Sequence, residues 1–132
     1  MLHFDPKDGD NVEDVVQRLK GKGLEVQPPI FGGNRKQREE KNAEFSRKAA
    51  GVAVVFGSAS DLWACNACDT VSSVLGDEPK PAAVILAPPP GRPLSKKYWK
   101  PPQRLKKIDC QSATWHELDQ WADDVLRGCR GE

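Results

Sequence analysis

Two thiols three residues apart, in Trp63-Ala-Cys-Asn-Ala-Cys68, are side chains whose type and spacing could do chemistry. Near a helix start, backbone amides lower the pKa of the first thiol of a C-x-x-C, and thiol–disulfide exchange would follow. Against that, Cys65 falls about a turn inside the expected helix, and the competing reading of each cysteine is a small buried hydrophobe. Just upstream, Gly57-Ser-Ala-Ser60 closes an apolar run with small hydroxyl residues, where a ligand would sit if that run is a central strand. Ser58, Ser60 and Trp63 could then form a nucleotide-shaped pocket. No second C-x-x-C exists, and Cys110, His116 and Cys129 lack ligand spacing, so no metal site is expected. His3 and His116 are read as ordinary surface or core residues.

The elements that must position these residues follow from periodicity. Val52 to Gly57 and Ala82 to Ala87 carry no polar side chain, the pattern of strands buried on both faces of a parallel sheet. Met1 to Phe4 is a short first strand stopped by Asp5-Pro6, and Leu24 to Gln27 alternates as an edge strand stopped by Pro28-Pro29. Leu105 to Asp109 fits a last strand. Asp10 to Glu13 has capping-box spacing ahead of Val12, Val15, Val16 and Leu19, which recur at helical intervals. Asn34 to Ala50 is a charged helix whose core face would be Ala43, Phe45 and Ala49. A third helix, capped by Ser60 or Asp61 and running to about Leu75, would turn Trp63, Ala67, Val71 and Val74 inward. Thr114 to Glu117 opens a final helix with Trp115, Leu118, Ala122, Val125 and Leu126 on its apolar face, ended by Gly128. This alternation predicts an α/β three-layer sandwich with a five-stranded parallel sheet in the flavodoxin-like order 2-1-3-4-5. The switch point would bring Asp5-Pro6 beside Ser58 to Ser60, adding Asp5 to the pocket.

Composition narrows the partners. The 132 residues, 38% hydrophobic, suit one domain spanning 1–132 that buries a core without staples. With Lys+Arg 20 against Asp+Glu 19 the net charge is +1, which argues against binding driven by counterion release. Arg92 to Lys107 holds seven basic residues and no acid around Tyr98-Trp99. It is read as a solvated loop with its aromatics packed inward rather than a nucleic-acid surface. No stretch approaches the roughly 18 apolar residues of a membrane span, and no signal-peptide layout is visible, so the expectation is a cytoplasmic protein with reduced thiols and no membrane partner.

In order and spacing, several pieces resemble the bacterial branch of the Toll/interleukin receptor (TIR) domains, found in sensor proteins of prokaryotic defence and signalling. They are Phe4-Asp5, Leu24-Glu-Val-Gln-Pro-Pro-Ile-Phe-Gly-Gly33, Arg38-Glu-Glu-Lys-Asn42, Val54-Val-Phe-Gly-Ser-Ala-Ser-Asp-Leu-Trp63 and Ala83-Val-Ile-Leu-Ala-Pro-Pro-Pro90. The resemblance covers nearly the whole chain and implies the same flavodoxin-like sheet. It implies self-association or pairing with other TIR-like domains through the loop of Pro28, Pro29, Ile30, Phe31, Gly32, Gly33, Asn34 and Arg35. It also implies an alternative, hydrolysis of NAD at the nicotinamide–ribose bond, with NAD as substrate and no resident cofactor. Catalytic members commonly carry a glutamate four residues beyond a Trp on the helix after the third strand; here that position is Ala67. Asp61 and Asp69 are the remaining catalytic candidates, each displaced around the helix from the Trp63 face. Alanine cannot stabilise an oxocarbenium-like centre, so an association module is the leading expectation.

Overall fold

The computed structural model of the chain describes residues 1–57, 61–78, 80–86, 104–110 and 115–129. Among them are four parallel strands and four α-helices, in the order β1 (Leu2–His3), α1 (Gly9–Gly21), α2 (Arg35–Lys48), β2 (Val52–Phe56), α3 (Asp61–Leu75), β3 (Ala82–Leu86), β4 (Lys106–Asp109) and α4 (His116–Cys129). The sheet order is β1-β2-β3-β4, with Leu2 opposite Ala53, Ala53 opposite Ala83, and Ala83 opposite Lys106. Every residue of β2 and β3 is buried, as their unbroken apolar composition requires. Alternate side chains serve different layers. Ala53, Val55, Ala83, Ile85 and Ile108 join the core under α1 and α4, whereas Val52, Val54, Phe56, Val84 and Leu86 join the core under α3.

Leu24 to Gln27, expected as an edge strand, is not one of the four strands. It lies beside β1, where the Leu2 N–H donates to the Gln27 carbonyl at 3.0 Å. Leu24 and Val26 are half-buried and Glu25 and Gln27 exposed, so the alternation itself is retained.

Four local expectations are corrected. A short 3₁₀ turn, Pro6–Asp8, precedes α1, and Asp8 rather than Asp10 occupies the N-cap. In α2 the buried residue is Ser46, with Ala43, Phe45 and Ala49 only half-buried. Along α3 the buried stripe is Ala64, Cys68, Val71 and Leu75, one residue out of phase with Trp63, Ala67 and Val74. Small side chains at Ala64 and Cys68 let the helix approach the sheet, which turns Trp63 and Ala67 to the flank. On α4, Trp121 joins Leu118, Ala122 and Val125 in the core while Trp115 and Leu126 are half-buried, and the helix continues through Gly128 to Cys129.

Both ends of α2 are held by side chains. Asn34 Oδ1 accepts from the Gln37 N–H at 3.0 Å. At the other end the Lys80 ammonium donates to the Ser46 and Arg47 carbonyls at 3.2 and 2.6 Å, satisfying orphan acceptors and opposing the negative end of the helix dipole.

Candidate functional site

A cavity of about 830 Å³ opens beyond the carboxyl end of β1, between α2 and α3. Trp63 and Ala67 line one wall, Arg35, Arg38 and Glu39 another, and Phe31 borders it from the preceding loop. The out-of-phase packing of α3 creates this wall: with Ala64 and Cys68 on the sheet, the next face of the helix, Trp63-Ala67-Thr70-Val74, looks toward α2.

The loop before α2 is tied down by side chains of that helix. Asn42 grips the peptide of Ile30 from both sides, its Oδ1 accepting from the Ile30 N–H at 2.8 Å and its Nδ2 donating to the Ile30 carbonyl at 3.3 Å. Arg38 Nη1 donates to the Phe31 carbonyl at 3.2 Å. The Phe31 ring packs edge-on against Phe4, centroids 5.4 Å apart at 67°. Ile30 and Phe31 nonetheless remain 36% and 42% exposed. A left-handed Gly33 (φ +82°) then turns the chain into the Asn34 cap.

Beneath the loop, His3 connects β1 to α2. Ser46 Oγ donates to the Asn42 carbonyl at 2.9 Å, which uses its only proton, so at 2.8 Å it accepts from His3 Nε2–H. The imidazole is therefore the neutral Nε2–H tautomer, and burial lowers its pKa to about 4. His3, Ser46 and Asn42 thus link the first strand to the exposed apolar loop by a continuous path.

Asp8 is not a lining residue of the cavity. Fully buried, it accepts from the Gly57 N–H through Oδ2 at 3.3 Å, tying the segment after β1 to the carboxyl end of β2. Strand order predicts Asp5 beside Ser58 to Ser60, which lie outside the described residues; the residue found against Gly57 is Asp8, and the half-buried Asp5 accepts through its carbonyl from the Asp8 N–H at 2.8 Å. The turn chemistry of Pro6-Lys-Asp-Gly9 is the signal that points to Asp8.

Of the expected pocket residues, Trp63 lines the cavity, while Ser58 and Ser60 lie outside the described residues. Of the two candidate acids, Asp69 lines the cavity and is exposed, and Asp61 is the first residue of α3. Glu39 is a lining carboxylate that the charge pattern of α2 does not single out; it pairs with Arg35 at 2.9 Å on an exposed surface, an interaction that contributes little stability. Among the described residues no group of three or more His, Cys, Asp or Glu side chains is placed to hold a metal. No described helix is long and apolar enough to cross a membrane. Of the basic segment Arg92 to Lys107, residues 92–103 lie outside the described residues.

Cys68, the second thiol of the pair, has the chemistry of a core residue. Cys68 is fully buried on the sheet face of α3, and burial pushes its thiol up to about 12; Cys110, also buried, is pushed up to about 11. Native-state alkylation at pH 8 should therefore modify half-buried Cys65 before Cys68 or Cys110, which should react only on unfolding. Peptide mapping of the labelled thiols checks this; equal labelling of Cys65 and Cys68 in the folded protein contradicts it.

No protein-family profile, characterised protein or solved structure matches this chain.

Proposed function

We propose that the chain is a TIR-like signalling module that works by associating with copies of itself or with other TIR-like domains within a larger sensor protein. In this reading Leu24 to Gln27 is the fifth strand, giving the flavodoxin-like order 2-1-3-4-5. The Leu2–Gln27 hydrogen bond and the alternating burial of the segment support it.

The observation that carries the proposal is the pair Ile30 and Phe31. They are exposed, apolar and adjacent on a loop whose backbone is fixed by Asn42 and Arg38. Large side chains held outward on a preorganised loop lose little entropy on docking, as an association surface requires. Ala67 supports the same reading, since the cavity wall beside Trp63 presents a methyl group where a catalytic member would carry a carboxylate.

Gly32→Asp tests it cleanly, because a Cβ at Gly32 meets nothing within 4 Å and the backbone there needs no left-handed conformation. Light scattering over a concentration series should show oligomers of the wild-type chain that Gly32→Asp removes without loss of helical signal. Two strictly monomeric proteins would remove the support for association.

The cavity favours a second reading, NAD hydrolysis. Aromatic faces at Phe31 and Trp63, guanidiniums at Arg35 and Arg38, and a volume of about 830 Å³ suit a nucleotide-sized anion. The carboxylates available there are Glu39 and Asp69. Nicotinamide release from NAD by concentrated protein, lost on Trp63→Ala, would favour the enzyme; no release leaves the association module.

A further inference from the structure

Charge is divided unevenly between the two helical layers, α1 with α4 on one face of the sheet and α2 beside α3 on the other. On α1, Asp10, Glu13 and Asp14 are exposed, and none of them is in an ion pair among the described residues. Glu13 and Asp14 follow Asp10 at i+3 and i+4, spacings at which like charges repel along a helix. By contrast Glu39, Glu44, Asp119 and Asp123 each pair with a lysine or arginine at 2.8 to 2.9 Å.

The start of α2 is the reverse. Its first turn carries Arg35, Lys36 and Arg38 and no acid, although the positive end of a helix dipole disfavours cations. Lys36 is exposed and unpaired among the described residues, and Arg35 is balanced only by Glu39 a turn further on. This turn follows the loop that holds Ile30 and Phe31 outward, so the exposed apolar pair has a basic border.

We infer that the surface receiving the Ile30–Phe31 loop is the α1 face of a second copy of this chain, with Arg35 and Lys36 set against Glu13 and Asp14. The inference rests on the association reading above and names its partner surface. Charge complementarity selects a second copy, because one chain carries both halves of the match. A net charge of +1 gives the whole molecule little attraction to a polyanion in its place. Docking brings carboxylates to the positive end of α2 and cations to the crowded acids of α1, which relieves both clusters. Because the two halves lie on opposite faces of the sheet, a two-fold axis cannot join both at once. The contact is therefore heterologous and repeats head to tail.

The test uses Arg35→Glu/Lys36→Glu and Glu13→Lys/Asp14→Lys in the full chain, compared with wild type by light scattering over a concentration series at about 50 mM salt. Acids suit the start of α2, so the first variant should keep its fold; circular dichroism checks both. Should the second unfold, Glu13→Gln/Asp14→Asn takes its place with a smaller expected loss. Each reversed variant alone should associate about tenfold more weakly than wild type, since like charges then meet. An equimolar mixture should recover wild-type assembly, because each variant offers the other an opposite charge, and the species should grow past the dimer. The inference is overturned by loss of assembly in only one of the two variants, by folded variants that do not complement in the mixture, or by assembly that stops at the dimer. Wild-type oligomers removed by Gly32→Asp but untouched by both reversals would reject this partner surface and leave association standing. A strictly monomeric wild type would reject both.

Discussion

Gly57→Ala should destabilise the fold by about 2 to 3 kcal/mol, a large effect for one methyl group. A Cβ at this position would stand 2.4 Å from Asp8 Oδ1 and 2.7 Å from Asp8 Cγ. Asp8 has no exposure, so its carboxylate has no solvated rotamer within easy reach. It must move into neighbouring side chains or push the strand end away, and either response loses the bond from the Gly57 N–H. A double-mutant cycle separates this close approach from any intrinsic preference for glycine. In an Asp8→Ala background the clash is gone, and adding Gly57→Ala should cost no more than about 0.5 kcal/mol. Urea unfolding of the four proteins reads the cycle; additive losses would mean that Asp8 does not impose the glycine.

The same residue shows where sequence reasoning succeeds and where it stops. The apolar runs of β2 and β3 are legible because a strand buried on both faces has no polar positions to spare, and glycines mark the limits of the first and prolines those of the second. Parallel order follows from alternation with helices. The phase of α3 is not legible. Trp63-Ala67-Val71-Val74 and Ala64-Cys68-Val71-Leu75 both fit a helical repeat, and the choice depends on how closely the helix approaches the sheet, which only the assembled layers decide. That one-residue difference moves Trp63 and Ala67 from core to cavity wall and puts Cys68, the second thiol of the pair, in the core. Charged α2 misleads in the opposite sense. A helix dense in both charge signs reads as solvated surface, yet Arg35, Arg38, Glu39 and Asn42 form a cavity wall and hold the loop. Nor does any local pattern reveal that His3 is buried against Ser46, since the two meet across 43 positions of chain.

His3 should make the protein acid-sensitive in a defined window. Its folded pKa, about 4, lies below the usual value of 6.5, chiefly because burial disfavours the charged ring. Between these values the unfolded chain binds the proton more strongly than the folded one. Stability from the neutral imidazole is therefore fully present above pH 6.5, falls as the pH is lowered through the window, and levels off below about 4. The full loss is on the order of 3 kcal/mol, since a tenfold change in proton affinity corresponds to about 1.4 kcal/mol. The Met1 amino group, lowered from 8.0 to about 6 by burial, titrates mainly above this window. The contribution of His3 is isolated by subtracting the pH profile of His3→Gln, whose amide can still donate to Ser46 but does not titrate. Chemical denaturation from about pH 7.5 to 4 should give a wild-type curve that falls below pH 6.5 more steeply than that of the variant. Parallel curves would mean that His3 accepts its proton without leaving its site. Because Ser46 and Asn42 connect this ring to Ile30, acid should also loosen the apolar loop before the sheet unfolds, visible as earlier amide exchange at Ile30 than in β2.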